Sequence, residues 1–434
     1  MNMITKSDSS KNGSSLALEA IRKKLIGKSL NYKEIYSIMD DISKNRLGDI
    51  ATTYFAASGY SKGFSDEELY FLIKAMVETG EKLHFRGIVA DKHSIGGVPG
   101  TRTTLIVVPI VAAAGFKIPK SSSRSITTPA GTADDMEILC PVNFTKKRIY
   151  EIVKQTNGCI VWGGNLNIAP ADNAIIKVEK PLLFESYDKV LVSIMAKKIA
   201  FGSNHVVIDI PYGKTVKIQF IKDAEILKEK FEKLAKRFNI KLKAIIHKTD
   251  QPAGRGIGAI LETREAIKVL QQTSNRPLDL EIRSINLAGN LLDLCLGDSD
   301  SKLQQYVKEN FGNSFGWAQT ILKNGQAFLK MKEIIKAQGG NPNIDSNDLQ
   351  PGKYESFFKA GSSGKVKEIN IKNLTSVAKT LGAPDQKGAG IFLNKKIGDE
   401  VKVNENLYIL YSENMYNLKE GKHSAGKLPI VLIE

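Results

Sequence analysis

Within residues 86–135, RGIVADKHSIGGVPGTRTTLIVVPIVAAAGFKIPKSSSRSITTPAGTADD, one pattern occurs twice. A short apolar run meets a loop rich in glycine, serine and threonine, and a helix start follows. Strand, loop and helix in that order predict a parallel α/β sheet. Short strands are expected at 87–90 and 118–120, with loops at 91–100 and 121–132. The stretch 104–114 is apolar all round, so it is expected as a buried helix. In such sheets ligands bind beyond the carboxyl ends of the strands, which is where both loops fall. Small residues let a backbone approach an anion, hydroxyls and N–H groups donate to it, and a helix N-terminus adds a favourable dipole. The two loops therefore predict a phosphate cradle.

The rest of the chain extends this alternation. Residues 15–80 are expected to be helical. Asn31 with Glu34 and Ser65 with Glu68 fit capping boxes, and Leu69, Leu72, Ile73, Met76 and Val77 keep helical spacing. Gly27 and Gly59 are expected as helix stops. Further helices are expected at 145–156, 185–201, 224–238, 263–272, 279–296 and through 298–338. Strands are expected at 159–162, 205–210 and 242–246, the second leading into another polar loop at 211–214. Residues 339–352, rich in Asn, Gly, Pro and Asp, have the composition of a linker. Short β-type runs follow at 366–371, 407–410 and 428–433. The expected fold class is α/β: a small all-helical domain, a large α/β domain with a mixed, mostly parallel sheet, and a C-terminal α+β subdomain.

Composition excludes several classes. The chain's 434 residues suffice for two to three domains. No apolar run reaches the ~18 residues of a membrane helix. The polar start, MNMITKSDSSKNGS, lacks the apolar core of a signal peptide, so residues 1–14 are expected as a disordered tail on a cytoplasmic protein. Cys140, Cys159 and Cys295 show no paired spacing, which points to buried thiols in a reducing compartment. The net charge of +16 is carried mostly by lysine, and no arginine follows Arg283. Base readout leans on arginine forks, and neither a recognition motif nor aromatic–basic interleaving occurs, so a solvated lysine surface is expected rather than a nucleic-acid interface.

Among candidate motifs, no GxxxxGK[ST] occurs, which excludes a Walker-type phosphate loop. The run 254–258, GRGIG, has the wrong spacing for a dinucleotide fingerprint and reads as a tight helix entry. The five histidines are scattered, so no metal cluster is expected. His93 stands between Lys92 and Ser94 in the first loop, where a binding or catalytic role and a structural one weigh about equally. Glu185 at an expected helix start reads, on composition, as a dipole-favoured carboxylate.

DKHSIGGVPG closely resembles the loop of the nucleoside phosphorylase family that includes thymidine phosphorylase and archaeal-type AMP phosphorylase. The similarity continues through SSSRSITTPAGTADDMEIL, GGNLNIAPADN, LVSIMAKKIAFGSNHVVIDIPYG, TREAI and, more weakly, GAGIFLNKKIGDEV. It covers nearly the whole chain after residue 15. Thymidine phosphorylases carry a glycine-rich second loop with a histidine, whereas this sequence has SRSITTPAGT, as in the AMP type. They also place an arginine where this chain has Val178.

The resemblance implies phosphorolysis of nucleoside 5′-monophosphates, AMP and possibly CMP or UMP, to free base and ribose 1,5-bisphosphate. The alternative it leaves open is a thymidine-type reaction on nucleosides. By the same resemblance Lys92, Ser94, Thr104, Ser122 and Thr132 surround the attacking phosphate. Gly97, Ser123, Arg124, Ser125, Ile126, Thr127, Thr128, Thr132, Ser193 and Lys217 fall on nucleotide-binding positions. Glu185 falls on the proton-donor position, where family members of AMP type carry Asp, and His93 is a second catalytic candidate. No metal or organic cofactor is implied, inorganic phosphate being the co-substrate. The implied architecture joins a helical domain (15–82 and 170–202) to an α/β domain (84–168 and 203–338), with the active site in the interdomain cleft and a C-terminal domain at 345–434. Family members of AMP type usually add an N-terminal domain where this sequence has residues 1–14, so a homodimer is expected, with no nucleic-acid or membrane partner.

Overall fold

The computed structural model describes residues 14–125, 128–179 and 186–434. They fall into two compact units. The first holds the described residues up to Arg86 together with Gly163–Asn204 and Lys230–Ile240; the second holds Gly87–Trp162, His205–Glu229 and Lys241–Glu434.

The first unit is helical. It opens with α1 (Ser15–Leu25), α2 (Tyr32–Ser43), α3 (Gly48–Lys62) and α4 (Asp66–Glu78). Both expected capping boxes form, Asn31 with Glu34 and Ser65 with Glu68. Glu68 has a second task. Buried at 2% exposure, it pairs with Lys24 Nζ at 2.8 Å and accepts from Leu30 N at 3.0 Å. The carboxylate that starts α4 thereby also ties it to α1. Gly59 is not a stop: it lies inside α3, where a Cβ would stand 2.3 Å from the Phe64 ring, and Gly63 at φ +67° ends the helix instead.

The second unit begins with β1 (Ala90–Ser94), α5 (Thr104–Ala113), β2 (Ile118–Ser122), α6 (Thr132–Met136), α7 (Lys146–Thr156) and β3 (Gly158–Trp162). The chain then adds α8 (Pro170–Glu179) and α9 (Tyr187–Ala200) to the helical unit. The α/β unit resumes with β4 (His205–Tyr212), α10 (Ile221–Arg237), whose last turns belong to the helical unit, β5 (Lys241–Lys248), β6 (Gly256–Ile257), α11 (Ala259–Gln271), α12 (Leu278–Leu296), α13 (Ser301–Phe311), α14 (Ser314–Lys323) and α15 (Gln326–Ala337). Strands β1, β4 and β5 pair in parallel, as do β2 and β3, and a parallel bridge from Val89 to Lys117 joins the two sets. One face of β1 and β4 packs its Ala90 and Val207 into a core with α5, α11, α12 and α15.

The strands differ in extent from the sequence expectation, and the difference matters. The first runs over 90–94 rather than 87–90, and the second continues to Ser122. Polar residues expected in loops therefore lie on strands. Their backbone groups are taken by parallel neighbours, which overrides the low strand preference of Lys, His and Ser.

The C-terminal part comprises β7 (Tyr354–Lys359), β8 (Gly364–Ile369), α16 (Ile371–Thr380), β9 (Gly390–Leu393), β10 (Glu400–Val401), β11 (Asn406–Ser412), α17 (Met415–Lys427) and β12 (Val431–Ile433). They form a sheet ordered β6–β9–β11–β7 and a smaller one ordered β10–β8–β12, over a core of their own. Through β6 the first of these sheets takes in Gly256 and Ile257. Cys140, Cys159 and Cys295 are unpaired and buried. Among the described residues no helix is long and apolar enough to cross a membrane.

Candidate phosphate and nucleotide site

Lys92 and Ser94 project from one face of β1, because successive strand residues alternate faces. The parallel register sets Ser94 beside Asp209 on β4. Asp209 is level with Ile245 on β5, so His247, two residues on, shares that face. Four polar residues are thus delivered to one edge of the apolar layer, at the carboxyl ends of three strands.

Their contacts form a chain. Lys92 Nζ donates to Ser94 Oγ at 2.6 Å and to Thr103 Oγ1 at 2.7 Å. Ser94 Oγ donates to Asp209 Oδ2 at 2.6 Å. His247 Nδ1 lies 3.0 Å from Asp209 Oδ1, and Arg283 of α12 stands 4.0 Å from the same oxygen. Thr103 immediately precedes α5, so the Lys92 ammonium sits against the positive end of a helix as well as inside the protein. Burial pushes Lys92 down to about 8, against the pull of Asp209, with Arg283 and Arg102 pushing the same way. Burial would raise the Asp209 carboxyl, but the His247 ring and the charges of Lys92 and Arg283 outweigh it, to about 2. In this chain of contacts Lys92, Arg283 and the α5 N-terminus face one carboxylate, Asp209, a positive balance that favours an anion.

The second loop is ordered by carboxylates. Asp134 Oδ2 accepts from Ser125 N at 2.7 Å and from Gly131 N at 2.9 Å. Arg124 forks onto Glu137 with two contacts of 2.6 Å, reaches Asp134 at 3.2 Å and lies over the Trp162 ring. Lys387 adds a contact to Asp134 at 3.1 Å. Thr128 Oγ1 donates to Ala130 O at 2.7 Å, and Ser125 Oγ donates to Thr128 O. Ser123 is exposed, and Ser122 Oγ is buried with no hydrogen-bond partner among the described residues. Below the loops, Arg102 lies 2.6 Å from Asp135 and 2.5 Å from Glu262, and burial raises both carboxyls.

Several expected site residues are brought together and others are not. Lys92, Ser94 and Thr104 lie at one locus, with Thr103, the residue before Thr104, making the bond to Lys92. Gly97 and Lys217, expected on the nucleotide, meet: at Gly97, φ +85°, a Cβ would stand 2.9 Å from Lys217 Cβ. Thr132 is the first residue of α6 and is half-buried. Arg124 is committed to Glu137 and Asp134, so in this state it orders the loop. His93 falls on the opposite face of β1 from Lys92 and Ser94, since it lies between them on a strand. Ser193 lies on α9 of the helical unit, donating to the buried Asp172 at 2.8 Å, with Lys197 2.6 Å from the same carboxylate. Ile126, Thr127 and Glu185 lie outside the described residues. Sequence reasoning missed Thr103, Asp209, His247, Arg283 and the Arg102 cluster. The signal for two of them was present: Asp209 and His247 are the polar intrusions near the ends of the apolar runs HVVIDI and KAIIH.

Comparison with known proteins covers all these regions. Residues 18–80 match the helical bundle domain of a glycosyl transferase family, 86–328 its a/b domain, and 365–425 the pyrimidine nucleoside phosphorylase C-terminal domain. The chain is 42% identical over 416 residues to the AMP phosphorylase of Methanocaldococcus jannaschii, covering 96% of this chain and 80% of that protein. It is 40% identical over 404 residues to the AMP phosphorylase of Thermofilum pendens, covering 93% and 76%. Among solved structures, the anthranilate phosphoribosyltransferase of Thermus thermophilus shares the fold, with a TM-score of 0.57 at 16% identity over 74% of this chain and 99% of that one. The paired strand–loop–helix units, matched over more than half the chain by the a/b domain and over most of it by AMP phosphorylases, establish that the chain belongs to the glycosyl transferase family of the pyrimidine nucleoside and AMP phosphorylases.

Proposed function

We propose that the protein is a pentosyltransferase that cleaves nucleoside 5′-monophosphates, AMP foremost, with inorganic phosphate, releasing free base and ribose 1,5-bisphosphate. The observation that carries this reading is the buried Lys92 ammonium at the carboxyl end of β1, beside Ser94, Thr103 and the α5 N-terminus, in a chain matched nearly end to end by AMP phosphorylases. The C-terminal match favours a second reading, a pyrimidine nucleoside phosphorylase that takes no 5′-phosphate.

Breaking an N-glycosidic bond develops positive charge on the ribose and negative charge on the base. Phosphate held by Lys92, Ser94, Thr103, Thr104, Ser122 and Thr132 faces the anomeric carbon and captures that charge, a gain of proximity and orientation. Ser94 has a single hydroxyl proton, which it donates to Asp209, so donating to phosphate requires the hydroxyl to turn. The negatively charged ligand also raises Lys92, keeping it an ammonium when the site is filled. Gly97, Lys217, the 123–128 loop and Ser193 take the nucleotide, and Glu185 protonates the departing base as general acid. This chemistry requires neither a metal nor an organic cofactor. The protein is assigned to the cytoplasm as a homodimer.

Incubation with phosphate and, separately, AMP, CMP, UMP, thymidine and uridine tests the assignment. Base and ribose 1,5-bisphosphate are expected from the monophosphates. Base released from the nucleosides alone would overturn it in favour of the second reading.

A further inference from the structure

The turn at residues 252–255 lies between β5 and β6 and carries none of the residues assigned above. Its carbonyl side meets a buried cation. Lys396 Nζ donates to Pro252 O, to Gly254 O at 3.2 Å and to Ala253 O at 3.4 Å, with Asp279 a further 3.6 Å contact. The amide side meets a buried anion. Glu265 Oε2 accepts from Arg255 N at 2.7 Å and from Gly256 N at 2.9 Å. The same part of the C-terminal region adds Arg255 to Asn394 O at 2.8 Å and Ile397 N to Gln251 Oε1 at 2.8 Å. A water or a neutral amide would satisfy one such carbonyl at lower desolvation cost than an ammonium. Three converging carbonyls and a lysine 7% exposed indicate that the position of the turn is itself being held.

The turn holds the far end of the first polar loop. Gly254 N donates to Gly100 O at 2.7 Å, and Ala253 N donates to Thr101 Oγ1 at 3.1 Å. Gly100 sits at φ +67°, where a Cβ would stand 2.9 Å from Gly256 O, so loop and turn are in close register. Two residues after Thr101 comes Thr103, which accepts the Lys92 ammonium.

We propose that Lys396 is a positioning residue for the phosphate site: its ammonium is a tethered internal cation that fixes the 252–254 turn and, through Gly100 and Thr101, the placement of Thr103 against Lys92. The inference rests on the phosphorolysis reading for its kinetic consequence. It assigns the C-terminal region a part in binding phosphate, although none of the residues proposed above to hold phosphate lies in that region.

The test uses the full chain as wild type, Lys396→Met, Lys396→Gln and Lys396→Ala. Phosphorolysis is measured with phosphate and AMP varied in turn, and phosphate affinity by calorimetry without nucleotide. The KM and Kd for phosphate should rise about tenfold or more, because sub-ångström misplacement of a binding group is costly, while the KM for AMP moves much less. Ammonium chloride should restore part of the phosphate affinity to Lys396→Ala, and tetramethylammonium chloride at equal ionic strength should not, being too large for the carbonyl nest. Folded variants with unchanged phosphate KM and Kd would overturn the proposal, as would equal rises for both substrates, or insolubility of all three variants, which would mark Lys396 as purely structural. A wild type that releases no base from AMP would defeat the phosphorolysis reading, yet the calorimetric comparison would still decide the role of Lys396.

Discussion

Ser94 and Asp209 stand level in the parallel register of β1 and β4, and the serine hydroxyl donates to the carboxylate at 2.6 Å. This pair fixes what a rotatable hydroxyl would otherwise leave open. With its proton on Asp209, Ser94 turns a lone pair to the Lys92 ammonium 2.6 Å away. Asp209 is therefore the counterion that lets a lysine stay charged inside the protein, reached partly through a serine.

Lys92 should set the alkaline limit of the reaction. Burial brings the ammonium down to about 8, so it is charged below that pH and neutral above it. The kcat/KM for phosphate should fall as pH rises through about 8, well before an ordinary lysine would titrate. Lys92→Ala should lower kcat/KM by about 100-fold or more, as expected for loss of a preorganised charged donor, and should abolish this limb. A pH profile and a circular dichroism spectrum check both points; an unchanged profile in the variant would remove Lys92 from the role.

Asp209→Asn should move the same limb to lower pH. The carboxylate raises Lys92, so removing its charge leaves burial, Arg283 and Arg102 opposed only by the weaker pull of Asp91. It also strips His247 and Arg283 of their partner, and breaking a buried ion pair on one side typically costs about 3–5 kcal/mol. Denaturant unfolding of the variant beside the wild type measures this; equal midpoints would contradict it.

Gly97→Ala should weaken the nucleotide more than the phosphate. At φ +85° a side chain is strained by about 1–3 kcal/mol, and the new methyl group meets Lys217. The KM for AMP is expected to rise several-fold, with the KM for phosphate nearly unchanged. The opposite order would place Gly97 with the phosphate rather than with the nucleotide.

Glu185→Gln should reduce kcat by about 100-fold or more if the carboxyl protonates the leaving base, since general acid catalysis typically contributes that much. The loss should shrink for a nucleotide whose base leaves readily without protonation. A variant running at the normal rate would assign the proton to another group.

What could be read from the chain before folding was chemistry confined to a few neighbouring residues. The two capping boxes close over three residues, and both form as the sequence implies. The alternation of strand, loop and helix is a pattern of local polarity, and the parallel α/β unit it implies is the one that forms. Lys92, Ser94 and Ser122 enter as candidates through the family resemblance of the two loops, and the strand register then sets Lys92 and Ser94 on one face of β1. Strand length was not legible, because the hydrogen bonds that extend β1 to Ser94 are made with β4, more than a hundred residues away. Gly59 is a nearer case: the Phe64 ring, five residues on, folds back against it and accounts for its small size, which composition alone does not distinguish from a helix stop.

Residue types and their spacing dictated that this chain would bury apolar strands and present small hydroxyl-bearing loops beside them, because those preferences act over a turn or two. Which charges would face one another was left to strand register and helix placement. That step brought Asp209, His247 and Arg283 to Lys92, placed His93 on the opposite face of the strand, and set Lys396 against a turn about 140 positions earlier. A buried charge is tolerated only where its partners converge, and convergence is a property of the packed chain rather than of any stretch of it.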